Sequence, residues 1–149
     1  MQQNNSQLLL TMRIMWFALL SSQLILILFS FKLIVNDVIE ETPSTLILPF
    51  FGIGIMLLAL SFVIPKIISR GLKVSPTETN YSVLISPLIL TLALNETCSV
   101  MAFILKFIHN ETKLSLVLFA VSILIFITRF PTDQKLQNSL TELKNKNIL

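Results

Sequence analysis

Few residues in this chain have the type and spacing to do chemistry, and most of them fall in one stretch. Residues 90–105 read LTLALNETCSVMAFIL, an apolar run that carries Asn95, Glu96, Thr97 and Ser99, with Thr91 one turn earlier. Glu96 is the one acidic residue deep inside such a run. An ionisable group at mid-bilayer depth is costly and is a functional-site hypothesis from the outset. On a helix Thr91, Asn95 and Ser99 follow one stripe and Glu96 lies beside it, with Ser99 in reach of Glu96 at i+3. No Lys or Arg falls at the same depth, so the chain offers Glu96 no buried ion pair. Gln23 and Ser22 of the first apolar run are its expected hydrogen-bond partners. The candidate intramembrane polar or ion site is therefore Glu96, Asn95, Ser99, Thr91 and Gln23.

Other reactive residues read as structural. His109 is the single histidine and stands at the end of an apolar run, where it reads as a solvated interfacial loop residue. Asp37, Glu40 and Glu41 read as a solvated acidic turn. Cys98 is the only cysteine, so no internal disulfide or CxxC pair exists, and it reads as a small buried filler. Asn-x-Ser/Thr triplets at Asn4, Asn80, Asn95 and Asn110 are at chance level. The sequence contains no HExxH, GxSxG, Walker loop or GxGxxG. The expectation is a protein that is not an enzyme, with no cofactor, no metal site and no nucleic-acid partner. Its net charge of +3 comes from basic residues beside apolar blocks, where they act as topology signals.

The elements that position these residues follow from composition. Of 149 residues 54% are hydrophobic and 13% charged, against about 25% charged in soluble domains. Mean hydropathy is +0.81, and the apolar residues come in blocks of roughly 20, the length that crosses about 30 Å of hydrocarbon. The fold class expected is all-α: a four-helix transmembrane bundle occupying residues 1–149 as one membrane domain. The spans expected are residues 13–35, 45–64, 81–108 and 113–130.

Residues 1–11 carry no basic residue and no A-x-A-like site follows the first run, so that helix is expected to stay uncleaved after a frayed start. Trp16 is placed as an interfacial aromatic. Pro43 and Pro49 suit the first turns of the second helix, and Gly52 and Gly54 suit close approach of another helix. Ser75, Pro76, Thr77 and Glu78 read as a capping box that starts the third helix near Pro76, and Pro87 should kink it. The turn at residues 109–112 is so short that helices three and four must be antiparallel neighbours. Leu136, Leu140 and Leu143 recur at helical spacing in the tail, residues 131–149, which predicts a short amphipathic helix at the membrane surface.

Topology follows from the distribution of basic residues. Arg13, Lys66, Arg70, Lys73, Arg129, Lys135, Lys144 and Lys146 fall on one side of the expected spans, and Lys32, Lys106 and Lys113 on the other. The positive-inside rule then predicts N-in/C-in, with an inner bacterial membrane as the location.

Ala93-Leu94-Asn95-Glu96, followed by VMAFIL at residues 100–105, resembles the carboxylate-bearing helix of rotary ATPase c-subunits, the proteolipids. Gly52 and Gly54, the basic loop with Lys66, Arg70 and Lys73, and then Glu96 keep the order of that family's hairpin over about 60 residues. The resemblance implies a carboxylate that binds H⁺ or Na⁺. The family's alternating glycine repeat and loop signature are absent, and Pro49 and Pro87 interrupt the two helices.

Two functions are expected from these residues. The first is a non-enzymatic subunit or scaffold of a larger membrane complex, in which the polar residues hold helices together. The second is a proton- or cation-translocating protein, or a small transporter, that uses Glu96. The partners expected are the lipid bilayer and either a protein partner or further copies of the chain.

Overall fold

The computed structural model describes residues 2–32, 44–71 and 81–146, except the side chains of residues 2–4, 44, 70 and 146. All the described elements are helical: α1 (Gln2–Lys32), a short 3₁₀ turn (Ser44–Leu46), α2 (Ile47–Gly71), α3 (Ser82–His109), α4 (Thr112–Thr128) and α5 (Asp133–Lys146). Three of them are long and apolar enough to cross a membrane, over Asn5–Lys32, Ile47–Ser69 and Ser82–His109. The fourth expected span passes that test only when α4 is taken together with α5, across a bend of 78°.

Several helix boundaries differ from the sequence reading. α1 begins at Gln2, so the polar start is helical and not frayed. α2 runs on through Pro65 to Gly71, well past the expected end at Ile64. A proline removes one ladder bond and does not by itself end a helix that packs along its length. α3 begins at Ser82 and stays helical through Pro87, whose carbonyl accepts the Thr91 hydroxyl at 2.7 Å. α4 stops at Thr128. Residues 33–43, with Pro43 and the acidic turn, and residues 75–78, with the capping box, lie outside the described residues, as do Lys73 and Asn80.

α3 is the central element and packs against α1, α2, α4 and α5. Its C-terminal turn explains the hairpin to α4. Asn110 takes the left-handed conformation at φ 52°, and its N–H bonds the Leu105 carbonyl. Asn is the common non-glycine residue in that position. The Lys106 ammonium then donates to Asn110 Oδ1 at 2.7 Å and to Thr112 Oγ1 at 2.6 Å, tying the two helices across the turn.

Contacts along the helices give an up-down-up-down order. Ser22 of α1 meets Glu96 of α3, and Met12 packs with Leu84, so α1 and α3 run the same way. Phe50 of α2 faces His109 and Phe62 faces Arg129, so α2 and α4 run the other way. Gly54 is a close-approach point: a Cβ there would stand 2.9 Å from Leu118 Cδ1 of α4. Gly52 faces open space, so only one of the two glycines has that role.

The amphipathic tail forms as α5 and folds back onto the bundle. Leu136, Leu140 and Leu143 are buried with Met12, Tyr81 and Leu84. A Tyr81 hydroxyl bond to Asp133 Oδ1 at 2.6 Å pins its start. Burial, and then that bond to a carboxylate, push the Tyr81 phenol above its ordinary value of 10.0. A raised folded pKa means that the contribution is present in full below pH 10 and is lost as pH rises through the folded value. Tyr81→Phe is expected to cost about 1 kcal/mol, within the usual range for one hydrogen bond. Proteolysis within α5 should quicken in the variant at neutral pH, and in the parent only at strongly alkaline pH.

Candidate functional site

The polar residues of α3 divide between two neighbouring helices. Glu96, at the middle of α3, turns toward α1, where the Ser22 hydroxyl donates to Glu96 Oε1 at 2.6 Å. Asn95 and Ser99 turn toward α4. The Asn95 amide donates to the Ser122 carbonyl at 2.8 Å, and Ser122 Oγ returns a bond to the Asn95 carbonyl at 3.0 Å. The hydroxyls of Ser99 and Ser122 share a bond of 2.9 Å. One turn on, Ser115 Oγ donates to the Ala102 carbonyl at 2.7 Å. Ser99, Ser115 and Ser122 are fully buried. Small polar side chains at such contacts let helix backbones approach closely and bond across the gap.

These placements correct several expectations. Ser99 pairs with Ser122 and not with Glu96, because the i+3 position is rotated onto the α4 side. Of the two expected partners of Glu96, Ser22 makes the bond and Gln23 does not. Thr91 is buried and its hydroxyl is taken by its own helix. Thr97 is exposed and bonds the Ala93 carbonyl.

Trp16 is not a lipid-facing anchor. It is 6% exposed, packs against Phe126 and Phe130, and donates its indole N–H to the Phe126 carbonyl at 2.9 Å. His109 is the last residue of α3, half-buried, with its ring 6.1 Å from that of Phe50, and is not in a solvated loop. Cys98 is fully buried in an apolar cluster with Leu58, Ala102 and Leu105.

Gln23 is the unusual residue of the site. It is fully buried, yet neither amide atom has a partner among the described residues, and the same is true of Asn95 Oδ1. Both side chains fall between two apolar clusters. On one side lie Trp16, Leu92 and Phe126, and on the other Leu58, Cys98, Ala102 and Leu118. The bundle is thus stratified, with a polar layer of Gln23, Asn95, Ser99 and Ser122 at mid-height and the Ser22–Glu96 pair at its rim.

Glu96 itself is half-buried and stands on the flank of the bundle between α1 and α3. Small exposed residues lie close by along the two helices: Ser21 next to Ser22 on α1, and Ala93 and Thr97 within one turn of Glu96 on α3. Chemically this arrangement provides one carboxylate, held by one hydroxyl, in reach of whatever covers that flank. Among the described residues no three His, Cys, Asp or Glu side chains converge as metal ligands.

Ser122 and Ser115 are site residues that the sequence reading passed over, although a signal for both was present. Ser115, Leu118, Phe119, Ser122 and Phe126 follow one helical stripe, and all are buried. No family model matches this chain, and no curated protein or solved structure matches it either.

Proposed function

We propose that this chain is a small multi-pass inner-membrane protein that serves as a non-enzymatic subunit or scaffold of a larger membrane complex. Its membrane character is supported by an inversion of the usual burial pattern. Leu10, Ile14, Phe17, Leu28, Leu48 and Leu124 are each more than half exposed, while Gln23, Asn95, Ser99 and Ser122 are buried. Such a surface suits hydrocarbon as solvent and would be an aggregation liability in water. α4 has 17 residues, about 26 Å of rise, which serves as a short fourth span with α5 turned along the surface. N-in/C-in puts the bundle end with Arg13, Lys66, Arg129 and Lys135 in the cytoplasm.

The observation that carries the subunit reading is the position of Glu96. A half-buried carboxylate on the flank at mid-span would still be in reach of lipid on a solitary bundle, which is costly. A partner helix seated on the small residues around it, and bringing a donor, removes that cost. Interhelical polar contacts in membranes contribute about 0.6 kcal/mol on average and up to about 1.7. Glu96→Ala is therefore expected to weaken the complex by roughly 3- to 20-fold. The test is quantitative recovery of a defined partner from mild detergent, compared for parent and variant at matched folded protein. Unchanged recovery would sink the reading.

The same position supports a second reading, in which Glu96 takes up a proton or cation. That reading expects pH-dependent labelling of Glu96 by a hydrophobic carbodiimide and loss of transport in Glu96→Gln with assembly retained. The subunit reading expects assembly to suffer first.

A further inference from the structure

The bundle end that gathers Arg13, Lys66 and Arg129 also holds a cleft of about 240 Å³ between α2, α3, α5 and the end of α4. Its two halves differ in chemistry. Phe62, Leu84 and Leu88 make an apolar floor, while Lys66 and Arg129 line the same space with Ser69 and Ser139. The Arg129 guanidinium lies over the Phe62 ring at 4.9 Å and is half-buried. Stacking satisfies the face of a guanidinium and leaves its N–H edges to grip two oxygens of one anion, a carboxylate or a phosphate. One carboxylate, Glu142, lines the cleft as well, so its charge is two cations against one anion.

We propose that this cleft holds the phosphate headgroup of one anionic phospholipid, a proposal that rests on the membrane reading above. The excess of one positive charge matches a singly charged phosphodiester. A cleft of about 240 Å³, open to one side, takes a small polar headgroup with the acyl chains outside it. The chains leave over Phe62, which is 43% exposed and continues into the outward apolar face of α2 with Val63 and Ile67. A soluble anion would leave the apolar floor in water, whereas an amphiphile satisfies both halves. Basic pockets between transmembrane helices on the cytoplasmic side recognise such headgroups. Because Leu136, Ser139 and Leu143 of α5 form one wall, the bound lipid also ties the tail to α2 and α3.

The test uses the full chain in mild detergent, with phosphatidylglycerol and phosphatidylcholine of identical chains added in native mass spectrometry. One phosphatidylglycerol per chain is expected to be retained in preference to phosphatidylcholine. At about 1 kcal/mol per basic residue, the double variant Lys66→Gln with Arg129→Gln should weaken that binding by roughly 30-fold. Lys113→Gln, at the opposite end of the bundle, changes the charge alone and should leave the preference intact. Equal retention of the two lipids, or a double variant that binds like the parent while folded, overturns the proposal. Competition by millimolar glycerol phosphate would overturn it in favour of a soluble phosphate ligand. Carbonate extraction is the separate test of the membrane reading: release of the chain from membranes would remove that reading whatever the lipid preference.

Discussion

Replacing Gln23 by methionine is expected to make the bundle more stable. Methionine keeps the length and unbranched shape of glutamine and fills irregular space well. The substitution removes two buried polar atoms that have no hydrogen-bond partner among the described residues. An unsatisfied buried polar group costs about 1–3 kcal/mol in proteins. Gln23→Met should therefore gain about that much, seen as a higher unfolding midpoint in mixed detergent micelles. Trp16 is the only tryptophan, and its emission supplies the signal. The neighbouring amide carries the opposite expectation. Asn95 makes a bond to the Ser122 carbonyl, so Asn95→Ala should destabilise. A Gln23→Met protein that is less stable than the parent would show that the Gln23 amide is occupied in the membrane. A more stable variant that no longer recovers its partner would place Gln23 in function, since natural chains keep costly buried polar groups mainly where function needs them.

Trp16→Ala is expected to be the most damaging single substitution. The ring lies between α1 and α4, with Phe126 at 5.5 Å, Phe130 at 4.9 Å and Phe17 at 5.0 Å between centroids. Its N–H also gives a second bond to the Phe126 carbonyl in the last turn of α4, which accepts the Arg129 N–H at 3.1 Å as well. On the membrane reading proposed above, lipid removes the usual hydrophobic gain of burial, so the loss comes from packing and from that hydrogen bond. About 3 kcal/mol is expected, the low end of the range for Trp→Ala in soluble cores. Trp16→Phe keeps the ring contacts and loses the bond alone, and should cost about 1 kcal/mol or less. Far-UV circular dichroism during denaturation can follow both variants. Equal losses in the two would mean that the hydrogen bond, and not the ring packing, holds α1 to α4.

Much of the fold could be read along the chain because it depends on local quantities. Apolar blocks of roughly 20 residues define three helices long and apolar enough to cross a membrane, whatever surrounds them. A turn as short as residues 109–112 forces an antiparallel hairpin, and its left-handed position suits Asn110. The leucine spacing of the tail is a helix period, and α5 forms accordingly. Pro87 lies inside α3 as its position in a long apolar run implies, whereas Pro65 marks no helix end: α2 continues through it because packing on neighbouring elements outweighs one missing ladder bond.

The candidate site shows where local information ends. The sequence by itself determined that a carboxylate and two amides, Glu96, Asn95 and Gln23, would lie at the level of the apolar runs, since depth follows from residue count along a helix. Tertiary structure decided what each of them meets. The rotation of α3 about its axis, fixed by packing against four other helices, sends Asn95 and Ser99 to Ser122 and Glu96 to Ser22. It also encloses Gln23 without a partner and turns Trp16 inward. A rotation of that kind is set by side chains far apart in sequence. One residue, about 100° of helix rotation, separates the side chain that glues the bundle from the half-buried one on its flank, which is why Glu96 and Asn95, adjacent in the chain, end in different surroundings.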